Sequence, residues 1–98
     1  MKNKLERFAW NIKSPYIIQE GKDLFNQTKG NWNNIFNNNN PIILELGCGN
    51  GEYTVNNSKM YKNFNYVGID IKGSRIWKGA KHLSEINSKN ALFLRIQI

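Results

Sequence analysis

Three short apolar runs organise the second half of the chain: Ile42–Leu46, Asn65–Ile69 and Ala91–Ile96. Each has the length of a strand buried on both faces, with turn-forming residues around it. Two helical patterns fill the gaps. Over Gly73–Asn87, Ile76, Ala80, Leu83 and Asn87 recur at the spacing of one helix face, and Gly73-Ser74 offers an N-cap. Asn87 suits a left-handed C-terminal cap. The pattern over Glu52–Lys62 is poorer. Val55, Met60 and Tyr61 are apolar, but Asn56, Asn57 and Ser58 fall where an inward face runs. A buried Asn without partners costs on the order of 1–3 kcal/mol, so this helix is expected to be the weak element. Strand, helix, strand, helix, strand predicts an α/β unit of three parallel strands with two intervening helices, part of a doubly wound sheet.

The first 40 residues lack such order. Met1–Lys13 is basic with scattered Leu5, Phe8, Trp10 and Ile12, shows no clear caps, and reads as a loose arm ordered only against a partner. Ser14-Pro15 breaks any helix there. Residues 16–40 carry Tyr16, Phe25, Trp32 and Phe36 among Gly and Asn, predicting a segment that packs across the sheet without joining it. Aromatics among lysines can stack on nucleic acid, but satellite core is the commoner use. The expected division is therefore an arm and lead-in over 1–40 and a partial α/β domain over 41–98.

Candidate chemistry concentrates where the first strand ends. Glu45-Leu46-Gly47-Cys48-Gly49-Asn50-Gly51 is a glycine-rich turn into a helix, with backbone on which a ligand can lie directly. The second strand ends at Asp70, 19 residues beyond Gly51, where an acid in a doubly wound fold holds an adenosine ribose. A dinucleotide fingerprint needs glycine where Glu52 stands, and a carboxylate beside a pyrophosphate is unfavourable. Glu45, Gly47, Gly49, Gly51 and Asp70 instead suit S-adenosylmethionine, which carries a sulfonium and an ammonium and no phosphate. A tight strand-to-helix turn with a surface acid is the bland alternative.

Charge adds a second partner. The net formal charge is +7, with six basic against three acidic residues in 1–30, two against three in 31–70, and six against one in 71–98. Basic flanks around a neutral-to-acidic pocket favour a polyanion such as RNA outside and a small cation inside. Arg75, Lys78 and His82, with Glu85, lie on the helix side away from the sheet and offer a phosphate-facing stripe or a plain solvated face. His82 has no partner motif. The lone Cys48 excludes an internal disulfide and a cysteine-based zinc site and is expected to pack in its loop. With no signal peptide or membrane-length apolar run, the expected setting is cytoplasmic, without membrane or metal, and a monomer stays open.

Together these stretches resemble the tRNA guanine-N7 methyltransferases, above all their Bacteroidetes-type branch. The likeness is carried by Lys4-Leu5-Glu6-Arg7-Phe8, Lys29-Gly30-Asn31-Trp32-Asn33, Asn40-Pro41 with Glu45 to Thr54, Val67 to Gly73, Arg75 to Lys81 and Phe93-Leu94-Arg95. The glycine loop is common to most class I methyltransferases, whereas Asp70 to Lys81, with its Gly-x-Arg-x-Trp order, is more specific. The resemblance implies the N-terminal part of a Rossmann-like class I methyltransferase fold and S-adenosylmethionine as cofactor. It also implies tRNA as substrate, with Arg75, Lys78 and Lys81 as candidate contacts. Glu45 and Asp70 match the family's cofactor acids, and Gln97 stands where many members have an acid near the adenine. Asn50, Asn57 and Ser58 depart from the family's usual lysine, aliphatic and small apolar residues. The family's catalytic-site aspartate, in an Asp-Pro-Trp-type segment, falls beyond Ile98, so no catalytic residue is assigned. By this reading the chain is a truncated cofactor-binding half, inactive alone. The rival readings are an inactive remnant that binds RNA and, disfavoured by Glu52, a nicotinamide-dinucleotide unit.

Overall fold

The computed structural model describes residues 2–98. Its centre is a parallel four-stranded sheet in the order β1-β4-β3-β2, from β1 (Ile17–Ile18), β2 (Ile42–Leu46), β3 (Asn65–Asp70) and β4 (Ala91–Arg95). Register runs Ile43 with Tyr66, Glu45 with Gly68, Gly68 with Phe93 and Ile17 with Phe93. Helices α3 (Glu52–Met60) and α4 (Gly73–Glu85) make the two crossovers, α1 is Lys4–Lys13, and α2 is the short Trp32–Phe36.

Alternation along the strands divides the core in two. On one face Val55 of α3 and Ile76, Ala80 and Leu83 of α4 close over Ile17, Tyr66, Ala91 and Phe93. On the other, Ile18, Val67, Ile69 and Leu94 are closed by Phe36, with Phe25, Trp32 and Ile42 alongside. The aromatics of 16–40 are thus core or its border: Phe25, Trp32 and Phe36 cover this second face, while Tyr16 packs on the first. Cover stops at the β2 edge, where Leu44 and Leu46 are 54% and 64% exposed.

The first 40 residues differ most from expectation. The expected loose arm over Met1–Lys13, of which Met1 lies outside the described residues, is instead a helix from Lys4, opened by a capping box in which Asn3 Oδ1 accepts the Glu6 N–H at 2.9 Å and Glu6 Oε1 the Asn3 N–H at 3.4 Å. It docks on α4 rather than waiting for a partner. Asn11 Nδ2 donates to the Gly73 carbonyl at 2.8 Å, Arg7 Nη1 to the Ser74 carbonyl at 3.0 Å, and Trp10 meets Trp77 edge-on at 6.5 Å. Nor does the lead-in stay out of the sheet, since Ile17–Ile18 adds a fourth strand beside β4. Two residues are too few to show as a strand pattern. Lys22 secures this segment by donating to the carbonyls of Asn11, Ser14 and Ile17, each at 2.7 Å.

The two crossover helices also depart in detail. In α3 the inward face is Thr54, Val55 and Ser58, while Asn56 is exposed and Asn57 donates to the Tyr53 carbonyl at 2.8 Å. Ser58 is fully buried, and its hydroxyl donates to the Val55 carbonyl at 2.7 Å, so the expected orphan polar group does not arise. The carboxamide of buried Asn90 ties the end of α3 to β4, donating to the carbonyls of Ser58, Tyr61 and Phe64 at 2.9, 3.3 and 3.1 Å. Helix α4 starts at Gly73 without a side-chain cap. Gly73-Ser74 does not cap it because both residues are already helical and turn their carbonyls to α1. Asn87 ends it in the left-handed conformation as expected, at φ 53°.

Candidate functional site

Strands β2 and β3 lie side by side, so Glu45 and Asp70 come to the same end of the sheet, with Glu45 opposite Gly68 and Asp70 two residues further on. Between them the chain turns through Gly47, Gly49 and Gly51, all at positive φ (71°, 57° and 80°). The loop is pinned to β3, since the N–H groups of Gly47 and Cys48 both donate to the Ile69 carbonyl, at 2.7 and 3.0 Å.

Asp70 is the hub. Its Oδ2 accepts the Gly49 N–H at 2.9 Å and its Oδ1 the Lys72 N–H at 3.0 Å. Burial raises the carboxyl pKa, but the N–H groups of Lys72, Gly49 and Ile71 and the charge of Arg75 outweigh it, and the net shift is downward. Asp70 is therefore a fixed anion. A carboxylate has about four acceptor positions, so these bonds leave it capacity for a further donor. Glu45 is half-buried, and its Oε1 accepts the Thr54 hydroxyl at 2.6 Å. Thr54 carries no pattern that marks it in the sequence, because its partner lies nine residues back on another element.

Cys48 is buried beside both acids. Burial first, then the charges of Asp70 and Glu45, push its thiol up to about 12, so it is protonated at neutral pH and is no nucleophile. It packs, as the sequence suggests.

The three loop glycines separate into two kinds. A side chain at Gly47 or Gly49 would meet nothing within 4 Å, so both turn bare backbone toward open space. A Cβ at Gly51 would lie 2.4 Å from Phe93 Cζ, so that glycine faces inward. Gln97 is exposed, past the end of β4. Because Arg95 is in register with Asp70, Gln97 leaves the sheet at the same end as the loop. No group of three or more His, Cys, Asp and Glu able to hold a metal occurs among the described residues.

The basic candidates are not all together. Arg75 lies near enough to act on Asp70. Lys78 and Lys81 instead join Arg7, Trp77, His82 and Glu85 around a cleft of about 420 Å³ between α1 and α4. Trp77 is its buried floor, with the Arg7 guanidinium 4.4 Å and the Lys81 ammonium 5.2 Å from the ring centroid. Sequence reading missed Arg7 and Trp77 as a pair, because they are 70 residues apart and meet only when α1 docks. No helix among the described residues is long and apolar enough to cross a membrane.

Comparison with known proteins agrees with this geometry. Curated relatives called tRNA (guanine-N(7)-)-methyltransferase occur in Christiangramia forsetii, 46% identical over 99% of this chain and 46% of its own length, and in Cytophaga hutchinsonii, 40% identical over 99% and 44%. The Bacteroides fragilis relative of the same name is 42% identical over 99% of this chain and 40% of its own length. The chain thus spans less than half the length of these curated relatives, and they bear out the resemblance drawn from the sequence. Among solved structures, an antibiotic-related methyltransferase superposes with a TM-score of 0.62 at 20% identity, over 70% of this chain and 36% of its own. Coclaurine N-methyltransferase superposes at 0.53 and 17% identity, over the whole of this chain and 32% of its own. Both likenesses show the α/β fold of class I methyltransferases. Residues 39–98 match the family model described as "Putative methyltransferase", and the chain belongs to that methyltransferase family.

Proposed function

We propose that this chain is the cofactor-binding part of an S-adenosylmethionine-dependent enzyme that methylates N7 of a guanine in tRNA. The observation that carries the reading is the Asp70 carboxylate, held ionised at the end of β3 and bonded to Gly49 of an open-faced glycine loop. The residues fit the cofactor: two carboxylates suit a ligand with a sulfonium and an ammonium, Asp70 retains acceptor capacity for ribose hydroxyls, and Gly47 and Gly49 leave room above the backbone. When bound, S-adenosylmethionine supplies an electrophilic methyl group. Guanine N7 has a free lone pair, so no general base is required of this chain. The role of Glu45, Gly47, Gly49 and Asp70 is to hold and orient the cofactor; Gly51 supports the loop from below, and Gln97, which leaves the sheet at the same end, is assigned to the adenine. Titrating the chain with S-adenosylhomocysteine and with NAD⁺ by calorimetry separates the classes. Binding of the first alone is expected, and binding of NAD⁺ alone would overturn the reading.

The names of the relatives and the cleft between α1 and α4 support tRNA as the partner. Among the described residues, Arg7, Lys78 and Lys81 have no carboxylate as hydrogen-bond partner; Arg7 bonds the carbonyls of Lys2 and Ser74. RNA affinity of the chain is expected to fall steeply with salt. Removing Lys78 and Lys81 together should lower the slope of log K against log salt by about one unit per lost phosphate contact. Filter binding over a salt series measures this, and an unchanged slope would remove the cleft from the interface.

A further inference from the structure

Phe93 is fully buried on β4, and three glycines from three different elements close around its ring. A Cβ at Gly51, where the glycine loop enters α3, would lie 2.4 Å from the ring; at Gly68 of β3, 2.7 Å; at Gly79 of α4, 2.6 Å. Real Cβ atoms do not approach so closely, so each of the three positions is bare because the ring occupies that space. Two further contacts carry the arrangement to the site. A Cβ at Gly79 would also stand 2.9 Å from the carbonyl oxygen of Asn50, inside the glycine loop. One at Gly68 would stand 3.0 Å from Oγ1 of Thr54, the hydroxyl that bonds Glu45.

Gly79 is informative because it sits in the interior of α4, where alanine is the better helix former. A glycine there is a cost to the helix, and the space it leaves is taken by Phe93 and the Asn50 carbonyl. We propose that Phe93 is a positioning residue for the cofactor: its ring, seated in the slot of Gly51, Gly68 and Gly79, sets how closely the glycine loop lies on α4 and β3. It thereby sets where the Gly49 N–H meets Asp70. Phe93 acts through the loop and does not touch the ligand. The inference rests on the reading of the loop as a cofactor site.

Two substitutions test it in the 98-residue chain, each read by S-adenosylhomocysteine affinity and by amide hydrogen exchange. Exchange at Gly49, in the loop, is compared with exchange at Leu83, in the core of α4, so that loop loosening separates from global unfolding. Gly79→Ala adds a methyl between ring and loop. The expected result is a rise in Gly49 exchange relative to Leu83 and a loss of affinity of about tenfold. Phe93→Leu in the Gly79→Ala background, which returns volume to the slot, is expected to recover most of both. Phe93→Leu alone, which leaves the slot underfilled, should loosen Gly49 while Leu83 follows only the global change. Gly79→Ala with unchanged Gly49 exchange and unchanged affinity would overturn the proposal, and so would loosening without rescue by the second substitution. If the parent chain binds no S-adenosylhomocysteine, the cofactor reading fails, and the exchange ratio by itself still decides whether Phe93 sets the loop.

Discussion

Replacing Asp70 by alanine is expected to weaken S-adenosylhomocysteine binding about 10- to 100-fold, the loss of one to two charge-assisted hydrogen bonds. Replacing Lys78 by alanine should leave it unchanged. Two effects combine at Asp70. The carboxylate is the ribose acceptor in the proposed complex, and it also holds the Gly49 and Lys72 N–H groups that shape the site around it. Lys78 lies on the cleft between α1 and α4 instead. Equal losses for the two variants would contradict the assignment. The same carboxylate gives the pH dependence a sign. Its pKa is lower folded than unfolded, so it favours the folded state above the unfolded value, about 3.9. That contribution is lost as pH falls through the depressed folded value. Loop order, read from Gly49 exchange corrected for intrinsic rate, should therefore persist at pH 5 and fail only below the ordinary carboxylate range.

Gly51→Ala is expected to destabilise the chain by about 2–5 kcal/mol, and Gly47→Ala by only about 1–2 kcal/mol. Both residues are at positive φ, 80° and 71°, so an alanine at either carries the left-handed strain. Only at Gly51 does the new methyl also meet atoms, 2.4 and 2.8 Å from the Phe93 ring and 3.2 Å from the Gly79 Cα. Urea unfolding of the two variants reads the difference directly. Equal destabilisation would mean that Phe93 moves aside at no cost, contrary to the packing seen here.

Elements with a long repeating signal were legible in the sequence. The three apolar runs became β2, β3 and β4, the i, i+4, i+7 face of Ile76, Ala80 and Leu83 is the buried face of α4, and Asn87 caps it left-handed. The acids and glycines of the loop were legible for another reason: their spacing is set by local backbone geometry. What stayed hidden depended on distant partners. The capping box at Asn3 and Glu6 was missed, because the helix it opens exposes Leu5 and Ile12 and is held to α4 through Arg7, Trp10 and Asn11. A polar residue such as Asn11 reads as solvent-facing until its partner, the Gly73 carbonyl, is known. Three glycines in separate elements likewise give no hint that one phenylalanine ring requires all of them.

The chain spans 46% of the length of the Christiangramia forsetii relative, and β2, with Leu44 and Leu46 exposed, is an edge of its sheet. The most direct measurement of the central claim therefore joins these 98 residues to the remaining length of the Christiangramia forsetii relative. The chimera is assayed for transfer of labelled methyl from S-adenosylmethionine to unmodified tRNA transcripts. Label is expected in transcripts containing guanosine, none in transcripts made with 7-deazaguanosine, which lack the N7 atom, and none from the chimera carrying Asp70→Ala beyond a small residual rate. Equal labelling of the 7-deazaguanosine transcripts, or a folded chimera that transfers nothing while the intact relative does, would contradict the account.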